Sequence, residues 1–504
     1  MGIRRGFLCL AVLLLCLLAP SALAANRALL LGCDRFLSQT DTTPASANNV
    51  VQMARALSGG AMNLETLVTR RSGLGSEAEL RQLIGDAFGE AEQGDVNYFY
   101  ISTHGLWEPG QAAGDFTLLL SDGRRELPLP ARRLKAMLEE VPGTKVLILD
   151  CCHAGAVIGK GVPAPFDRLF TGEDWVVICS SGGAEESWFW AGAEDSLEQA
   201  AGAGFFSGAL ARGISAAGQY AADMDRDGTI TLTELRRYLL AIHGASKACT
   251  WPEESAFPVM RYDAASLRQA RSSALVEGVT FEKGALSMAE PQIRFSYTVL
   301  TPLRMVYQLV WQQNGRWDFQ HVETVEDRME ENLDGVLSPG HRERAITFYA
   351  GDEDYGEGYV LLQLLAVTGE RVTVVGSTVL TIPPSSGDPE LEVILPDAPF
   401  DPAAGEELTF AVAHRVPCEL SVAVTDSSGR VIRRLASREP TRPEQTVPRA
   451  STFTWNGRRT DGSLAEPGDY FLRVSAMVSD ERWETDDVPF TIAGGEADED
   501  RAAF

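Results

Sequence analysis

Alternating strand and helix signals between residues 26 and 180 constrain the fold of this chain more than any other feature of its sequence. Largely apolar runs predict strands at 28–32, 96–102, 145–149 and 174–179, and a further strand is predicted near 64–69. Between them, apolar residues at helical spacing predict helices around Val50 to Leu57, at 76–91 behind a Ser76 capping box, and at 130–140. Continuous apolar strands separated by amphipathic helices are typical of a parallel sheet covered on both faces. We therefore expect a three-layer α/β sandwich with a mainly parallel sheet.

Reactive side chains follow two of these predicted strands. His104 lies just past strand 96–102, and Asp150, Cys151 and Cys152 follow strand 145–149. Sites in open α/β sheets form at the carboxyl ends of the strands, so we expect these residues at one rim. A cysteine becomes a strong nucleophile when a neighbouring imidazole takes its proton, and the same imidazole can later protonate a leaving amine. The pattern predicts a cysteine–histidine pair.

The segments NYFYISTHG and VLILDCCHAG resemble the two signatures of caspase-like peptidases, in particular the metacaspase and bacterial caspase-homologue branch of clan CD. RALLLGCDRF, SANNVVQMARAL, WVVICSSGGAEES and GFFSGALARGI extend the resemblance over about residues 26–245. It implies a caspase-like (haemoglobinase) fold and a cysteine endopeptidase. It also implies that Cys152 is the nucleophile, that His104 is the general acid/base, and that the backbone N–H groups of Gly105 and Cys152 bind the oxyanion.

Other interpretations of these residues stay open. Cys151 could be the nucleophile in place of Cys152, Cys152 could be an inert buried thiol, and His104 could be a polar residue that merely ends a strand. We interpret His153 as structural, because its side chain must diverge from that of the adjacent Cys152.

Substrate preference rests on three positions near the same rim. The resemblance implies that Asp150 and Ser102 line the S1 pocket and that the pocket selects Arg or Lys at P1. The family's first helix usually offers an acid in the pocket, as Asn-Asp-Val, where this chain has Asn48-Asn49-Val50. With Asn49 in the acid's place, we expect a weaker preference for a cation. Alternatively, Asp150 caps a helix or braces a loop.

Residues 223–234 match the pattern of an EF-hand calcium loop. Asp223, Asp225, Asp227, Thr229 and Glu234 occupy the ligand positions of such a loop, and Gly228 occupies its sharp turn. We expect Ca²⁺ in a structural or regulatory role and no organic cofactor. The alternative is a solvated acidic turn.

The N-terminus predicts export. Residues 1–24 have a short basic start, an apolar run and a small-residue cleavage site, which predicts a signal peptide and a secreted or periplasmic protein. A retained membrane anchor is the alternative, but the apolar run is short for a spanning helix. The net charge of −26 argues against nucleic acid and anionic membranes as partners. The resemblance to caspase-like peptidases implies protein or peptide substrates.

The cysteines of the remaining chain do not indicate a disulfide framework or zinc-ligand spacing. They are Cys33, Cys151, Cys152, Cys179, Cys249 and Cys418.

Composition and the spacing of strand and helix signals divide the chain into several predicted domains. We predict a caspase-like peptidase domain at 25–270, a β-sandwich at 275–382, a Pro/Ser/Gly linker at 383–390, a second, Ig-like β-sandwich at 391–493 and an acidic tail at 494–504. The segment Phe453 to Val474 resembles the closing hairpin of the Ig-like domain of flagellar hook-capping proteins, with Trp455 and Tyr470 packed across it.

The sequence thus predicts a secreted cysteine endopeptidase. The main alternative is a catalytically degenerate scaffold whose β-sandwich domains bind cell-surface or protein partners, and a hydrolase of the same fold acting on something other than peptides also stays open.

Overall fold

The computed structural model of the 504-residue chain describes most of its length. The described residues are 24–38, 45–108, 111–162, 168–187, 189–190, 203–242, 244, 246–282, 285–286, 291–313, 316–326, 335–347, 358–369, 371–396, 398–443 and 449–493. The predicted signal peptide, except its last residue, and the predicted acidic tail lie outside them. No helix in the described part of the chain is both long and apolar enough to cross a membrane.

The first half of the chain alternates strands and helices. In chain order these elements are β1 (Asn26–Gly32), α1 (Ala45–Ser58), β2 (Leu64–Arg70), α2 (Glu77–Phe88), β3 (Val96–Ser102), β4 (His104–Leu106), β5 (Thr117–Ser121), β6 (Glu126–Pro130), α3 (Ala131–Glu139), β7 (Thr144–Asp150), β8 (Trp175–Cys179), β9 (Phe189–Trp190), β10 (Ala203–Gly204), α4 (Phe205–Ile214), β11 (Thr229–Thr231), α5 (Leu232–Ala241), β12 (Cys249–Trp251), β13 (Pro258–Arg261) and α6 (Ala264–Ser273). Short 3-10 helices lie at Ala113–Asp115, Ala154–Ile158 and Ala216–Gly218.

Six of these strands form the central sheet, in the order β12-β8-β7-β3-β1-β2. All neighbours are parallel except β12, which pairs antiparallel with β8. The mainly parallel sheet is therefore confirmed, and the antiparallel edge strand makes it a mixed sheet.

Both faces of the sheet are buried, as the continuous apolar strands predict. Leu29 and Leu31 of β1 belong to one core, which contains α2 and α3 residues, while Leu30 belongs to the other, which contains residues of α1, α4 and α5. Successive strand side chains point to opposite faces, so each apolar run supplies both cores. The result is the expected three-layer arrangement.

Helix α2 shows only half of the predicted capping box. The Ser76 hydroxyl accepts a hydrogen bond from the Glu79 amide at 3.3 Å, as predicted. The Glu79 carboxylate, however, accepts from the Gly75 amide at 3.1 Å. A full capping box would need the amide of the cap residue Ser76 as that donor.

The second half of the chain is built from antiparallel strands. The first group is β14 (Val276–Phe281), β15 (Gln292–Val299), β16 (Arg304–Gln313), β17 (Arg316–Glu326), β18 (Gly340–Thr347), β19 (Gly358–Thr368) and β20 (Arg371–Ile382). They form two sheets, β14-β15-β18 and β17-β16-β19-β20, and one apolar core contains residues of both, including Phe295, Tyr307 and Leu362. This arrangement is consistent with a β-sandwich, and we call these strands the middle module.

The remaining strands form what we call the last module. They are β21 (Glu392–Ile394), β22 (Leu408–His414), β23 (Glu419–Asp426), β24 (Val431–Pro440), β25 (Arg449–Trp455), β26 (Gly468–Val478), β27 (Glu481–Glu484) and β28 (Val488–Ile492), with a 3-10 helix at Pro402–Ala404. They also form two sheets around a single core.

The predicted closing hairpin of the last module is wrong. Strand β25 pairs with β22 in one sheet, whereas β26 pairs with β23, β27 and β28 in the other. Trp455 and Tyr470 still meet, with ring centroids 6.2 Å apart, but they meet across the core between the two sheets. The boundaries predicted for the domains remain predictions.

Candidate active site

Three parallel strands end level at one rim of the central sheet. Gly32 of β1 is in register with Ser102 of β3, and Ser102 is in register with Asp150 of β7. His104 and Cys152 each lie two residues beyond one of these ends. The rim is the place where sequence reasoning expects the site.

Gly105 joins the two predicted signatures. A Cβ added at Gly105 would lie 2.0 Å from the carbonyl oxygen of Cys152, far inside the limit for any real contact. The backbone after His104 therefore packs directly on the backbone of Cys152, and only glycine allows this approach. The two predicted oxyanion donors, the amides of Gly105 and Cys152, belong to these adjoining segments.

Ser187 lies over the thiol of Cys152. Its amide donates to Sγ at 3.4 Å, and Sγ lies 3.7 Å from its carbonyl oxygen. Burial raises the pKa of Cys152 to about 12, with the nearby carboxyls of Glu186 and Asp150 adding to the rise and the Ser187 amide opposing it. In this conformation the thiol is neutral at pH 7.

Glu186, beside Ser187, is the carboxyl with the largest effect on that thiol. Its Oε2 is buried and has no hydrogen-bond partner among the described residues. Burial raises its pKa to about 7. Glu186 belongs to the family-like segment WVVICSSGGAEES, but nothing in the sequence alone places it beside Cys152.

The two residues adjacent to Cys152 in the chain, Cys151 and His153, have their side chains in other surroundings. Cys151 is 2% exposed and belongs to the core, and burial raises its pKa well above the ordinary value. His153 has a positive φ of 60°, and its Nδ1 lies 2.9 Å from the carbonyl oxygen of Gly183. Burial lowers the pKa of His153.

His104 lies on β4, the first strand of a small antiparallel sheet formed with β5 and β6. Its ring packs against Phe36, with centroids 4.5 Å apart. Glu126 on β6 accepts hydrogen bonds from the amides of Leu37 and Ser38, which fixes the chain next to Phe36. Sequence reasoning missed both Phe36 and Glu126, because neither lies near His104 in the sequence.

The structure brings the three predicted S1 residues together. Asn49 Nδ2 donates to Ser102 Oγ and to Asp150 Oδ2, both at 3.2 Å. All three side chains are buried, and Asp150 is 6% exposed. The asparagine that stands in place of a family acid is thus a hydrogen-bond donor to the remaining acid.

Other hydroxyl groups complete the environment of Asp150, and sequence reasoning missed them. Ser207 donates to its carboxylate at 2.5 Å and Ser187 at 3.1 Å, while Tyr100 lies 2.6 Å from Ser207. Burial raises the pKa of Asp150 to about 6, and the hydrogen bonds from Ser207, Ser187 and Tyr100 limit the rise.

The acidic loop forms a compact turn before α5. Asp223, Asp225 and Asp227 each bring a carboxylate oxygen within 4.8 Å of the others. Gly228 has φ of 91°, and its amide donates to Asp223 at 3.0 Å. The Asp223 carboxylate also accepts from the hydroxyl of Tyr262 at 2.6 Å.

Two other predicted ligands have defined partners. Glu234 accepts from the amide of Thr231 at 2.9 Å in the capping box of α5, and its other oxygen accepts from the amide of Met224 at 3.1 Å. The Thr229 amide donates to Asp227 at 2.7 Å. These bonds close the loop on the acidic side chains.

Repulsion within the loop is visible at Asp225. The Asp227 amide lowers the pKa of Asp225, but desolvation and the charges of Asp227, Glu234 and Asp223 outweigh it, so the pKa is raised. A cation would relieve this repulsion, and carboxylate oxygens are the ligands that Ca²⁺ prefers. The residues therefore fit a hard cation.

The chain folds into an α/β domain in which a histidine and a cysteine each follow one of two adjacent parallel strands. Residues 25–247 match the family model of the caspase domain. The chain therefore contains a caspase domain over these residues. A comparison with curated proteins found no match.

Solved structures show weaker likenesses. The chain is similar to dimeric latent PorU from Porphyromonas gingivalis at 12% identity and a TM-score of 0.19, over 48% of this chain and 22% of that one. It is similar to caspase-1 from Spodoptera frugiperda at 14% identity and a TM-score of 0.29, over 47% of this chain and 84% of that one. The chain thus spans less than a quarter of the PorU structure.

Proposed function

We propose that the protein is a secreted cysteine endopeptidase that uses Cys152 and His104. The observation that carries the proposal is the packing of Gly105 on the Cys152 carbonyl, because it joins the segment that bears the histidine to the segment that bears the thiol. In the reaction, the Cys152 sulfur attacks the scissile carbonyl and the amides of Gly105 and Cys152 stabilise the oxyanion. His104 takes the thiol proton, gives it to the leaving amine, and then activates water to release the acyl group.

Access to the sulfur requires a rearrangement. Ser187 touches Sγ through both its amide and its carbonyl group, so a substrate carbonyl can approach only when Ser187 withdraws. The same movement takes Glu186 away from the thiol, which lowers the pKa of Cys152 and favours the thiolate. Substrate binding and thiol activation are therefore coupled in this proposal.

The proposed P1 residue is Arg or Lys. Asp150 supplies a carboxylate at the base of the proposed pocket, and Asn49 and Ser102 supply neutral polar groups beside it. A guanidinium would replace one or more of the neutral donors that Asp150 now accepts from. Because these new hydrogen bonds replace existing ones, we expect only a modest preference for Arg or Lys over a neutral P1 residue.

The acidic loop is proposed to bind Ca²⁺. Asp223, Asp225, Asp227, Thr229 and Glu234 would hold the ion, as in an EF-hand loop. The ion would hold the start of α5 and stabilise the caspase domain, at a distance from the chemistry.

A fluorogenic peptide library tests the peptidase proposal. The purified chain should cleave after Arg or Lys, Cys152→Ala should abolish cleavage, and Cys151→Ala, the matched control, should retain most of it because Cys151 lies in the core. Loss of activity in Cys151→Ala with retention in Cys152→Ala would reverse the assignment of the nucleophile.

One observation favours a second candidate, a scaffold or binding protein that uses the caspase fold without catalysis. The thiol is neutral and covered in this structure. Under that alternative, neither the wild-type chain nor Cys152→Ala cleaves any peptide of the library. The two candidates are thus separated by one assay.

A further inference from the structure

A buried lysine lies in the loop that follows the nucleophile. Lys160 comes after the short helix Ala154–Ile158, and its side chain is 7% exposed. A lysine charge in such surroundings needs ionised partners, because burial removes its hydration.

The partners of Lys160 come from two distant parts of the chain. Its Nζ lies 3.1 Å from Glu253, which follows β12, and it also contacts the carboxylate of Glu407 in the last module, 247 positions away in sequence. Glu253 is further bound by Arg236 at 2.5 Å. The side chain of Glu407 is 12% exposed, so the contact with Lys160 is itself buried.

The pKa values of the two carboxyl groups that contact Lys160 are shifted in opposite directions. Burial alone would raise the pKa of Glu253, but the charges of Lys160 and Arg236 outweigh it and hold that pKa below its ordinary value. Burial raises the pKa of Glu407, the charge of Glu253 adds to the rise, and the attraction of Lys160 opposes it. Lys160 thus contacts both carboxyl groups, Glu253 and Glu407.

The backbone of Lys160 is part of the scaffold of the active-site rim. Its amide donates to the Gly155 carbonyl at 3.0 Å, and its own carbonyl accepts from the Gly183 amide at 2.9 Å. The Gly155 amide in turn donates to the Ser181 carbonyl at 2.9 Å. These bonds join the loop after Cys152 to the segment that leads to Ser187.

A second contact from the last module reaches the same scaffold. The ammonium group of Lys247 lies 5.5 Å from the ring centroid of Phe453 on β25. The Lys247 amide donates to the Glu185 carboxylate at 3.0 Å, and the Glu185 carbonyl accepts from the amide of His153, next to the nucleophile, at 2.8 Å. The last module thus contacts Lys160 of the Cys152 loop directly, and it is linked through Lys247 to Glu185, two residues before Ser187.

We propose that Glu407 and Lys160 are positioning residues, through which the last module holds the Cys152 loop and the Ser187 segment in the geometry that the proposed peptidase reaction needs. Neither residue touches the sulfur. Each acts through the hydrogen bonds between Lys160, Gly155 and Gly183, so loss of the ion pair changes the position of reacting groups more than the affinity for substrate. This inference rests on the proposed function only for its kinetic readout.

The experiment compares full-length variants by steady-state kinetics and by the rate at which iodoacetamide alkylates Cys152. Glu407→Gln should lower kcat by about 10- to 100-fold and leave KM within about 3-fold, because a misplaced nucleophile slows chemistry more than binding. Its alkylation rate should change by at least about 3-fold as the covering Ser187 segment shifts. Lys160→Met should match it, and Lys160→Arg, which keeps the charge, should recover most of kcat.

Glu406→Gln is the matched control. Glu406 is the exposed neighbour of Glu407, and its carboxylate accepts from the Asp401 amide within the last module. Its kcat and alkylation rate should equal those of the wild type. If Glu407→Gln does not fold, Glu407→Asp, which keeps the charge and shortens the side chain, should still lower kcat.

The outcomes separate the two proposals. If Glu407→Gln keeps the kcat and the alkylation rate of the wild type, the positioning role is overturned. If Glu407→Gln does not fold, the same result in Glu407→Asp overturns it. A wild-type chain that cleaves no peptide, but whose Cys152 alkylation changes in Glu407→Gln and not in Glu406→Gln, overturns the peptidase function and leaves the positioning role supported.

Discussion

Gly105 and Cys152 are in backbone contact: a methyl group on the first would lie 2.0 Å from the carbonyl oxygen of the second. The position of a Cβ is fixed by its own backbone and the atom that it would meet is a backbone oxygen, so no side-chain rotation relieves the clash. The two signature segments can keep their relative position only with glycine at residue 105.

The first prediction is that Gly105→Ala separates these segments. We expect peptidase activity to fall by about 100-fold or more, because both the proposed oxyanion donors and His104 move relative to Cys152. Steady-state kinetics and labelling by a thiol-directed peptide probe measure the effect.

Gly85→Ala is its control. Gly85 lies within α2, and outside its own helix backbone no atom lies within 4 Å of an added Cβ, so alanine should stabilise the protein by about 0.5–1 kcal/mol and leave activity unchanged. Near-normal activity in Gly105→Ala would contradict the close packing of the two signatures.

The second prediction concerns Glu186 and the reactivity of Cys152. Glu186→Gln removes a carboxyl that raises the thiol pKa, so the alkylation rate of Cys152 should rise by about 10-fold for each unit by which that pKa falls. The pKa of Glu186 is about 7, so the carboxyl is mostly neutral well below pH 7 and charged above it. The difference between wild type and variant should therefore be small at low pH and grow as pH rises through 7.

Mass spectrometry of the alkylated peptide at several pH values checks this profile. Glu173→Gln, at an exposed position before β8, serves as the charge-matched control and should give the wild-type curve. An unchanged alkylation rate in Glu186→Gln at all pH values would mean that Glu186 does not act on the thiol.

Local sequence patterns predicted the elements that form the rim, because these patterns reflect burial. Strand β3 has the predicted bounds, and β7 extends the prediction by one residue at each end, since both are buried on two faces and appear as apolar runs. The hairpin between β25 and β26 was predicted wrongly for the opposite reason. Which strand pairs with which is decided by packing across the module, and nothing in the local pattern records it.

The candidate site, like the fold, could be predicted from the sequence only in part. Asn49, Ser102 and Asp150 were placed near one another because strand ends and a motif fix them. Ser187 and Ser207 were missed because they approach Asp150 from 37 and 57 positions away. A serine in a loop or helix carries no sequence signal of a distant carboxylate, so these partners become visible only once the chain is folded.

The third prediction is a pH-dependent preference at P1. Asp150 has a pKa of about 6, raised by burial, so it becomes ionised as pH rises through 6. The ratio of kcat/KM for a P1 Arg substrate to that for a matched P1 Gln substrate should therefore rise from about pH 5 to about pH 7 and then level off. Taking a ratio removes the pH dependence of the chemical step, which is the same for both substrates.

Two variants test the assignment to Asp150. Asp150→Asn should give a low ratio that does not change with pH. Ser207→Ala removes a hydrogen bond that lowers the pKa of Asp150, so the rise in the ratio should move to higher pH. A plateau near 10-fold is expected, at the low end for a charge-assisted contact, because the arginine must displace existing donors. A preference for acidic P1 residues would overturn the pocket assignment and leave Cys152 and His104 unaffected.

The fourth prediction concerns the acidic loop and uses a tyrosine next to it. Tyr262 donates to Asp223 at 2.6 Å, and its ring stacks on Tyr220 with centroids 3.9 Å apart. Tb³⁺ binds to oxygen sites that accept Ca²⁺ and emits when a nearby tyrosine is excited. Tyrosine excitation of the full-length protein with Tb³⁺ should therefore give terbium emission, which Ca²⁺ should displace and which Tyr262→Phe should weaken.

Asp225→Asn should abolish that emission, whereas Asp86→Asn, at an exposed position on α2, should leave it intact. Calcium should also stabilise the wild type by about 2.7 kcal/mol at 100 times its Kd, and Asp225→Asn should lose that gain. The two readouts test different steps, since emission reports an ion beside Tyr262 and stabilisation reports that the ion binds the folded loop in preference to the unfolded chain. Equal emission from Asp225→Asn and the wild type, with no calcium effect on unfolding, would leave residues 223–234 as a solvated acidic turn.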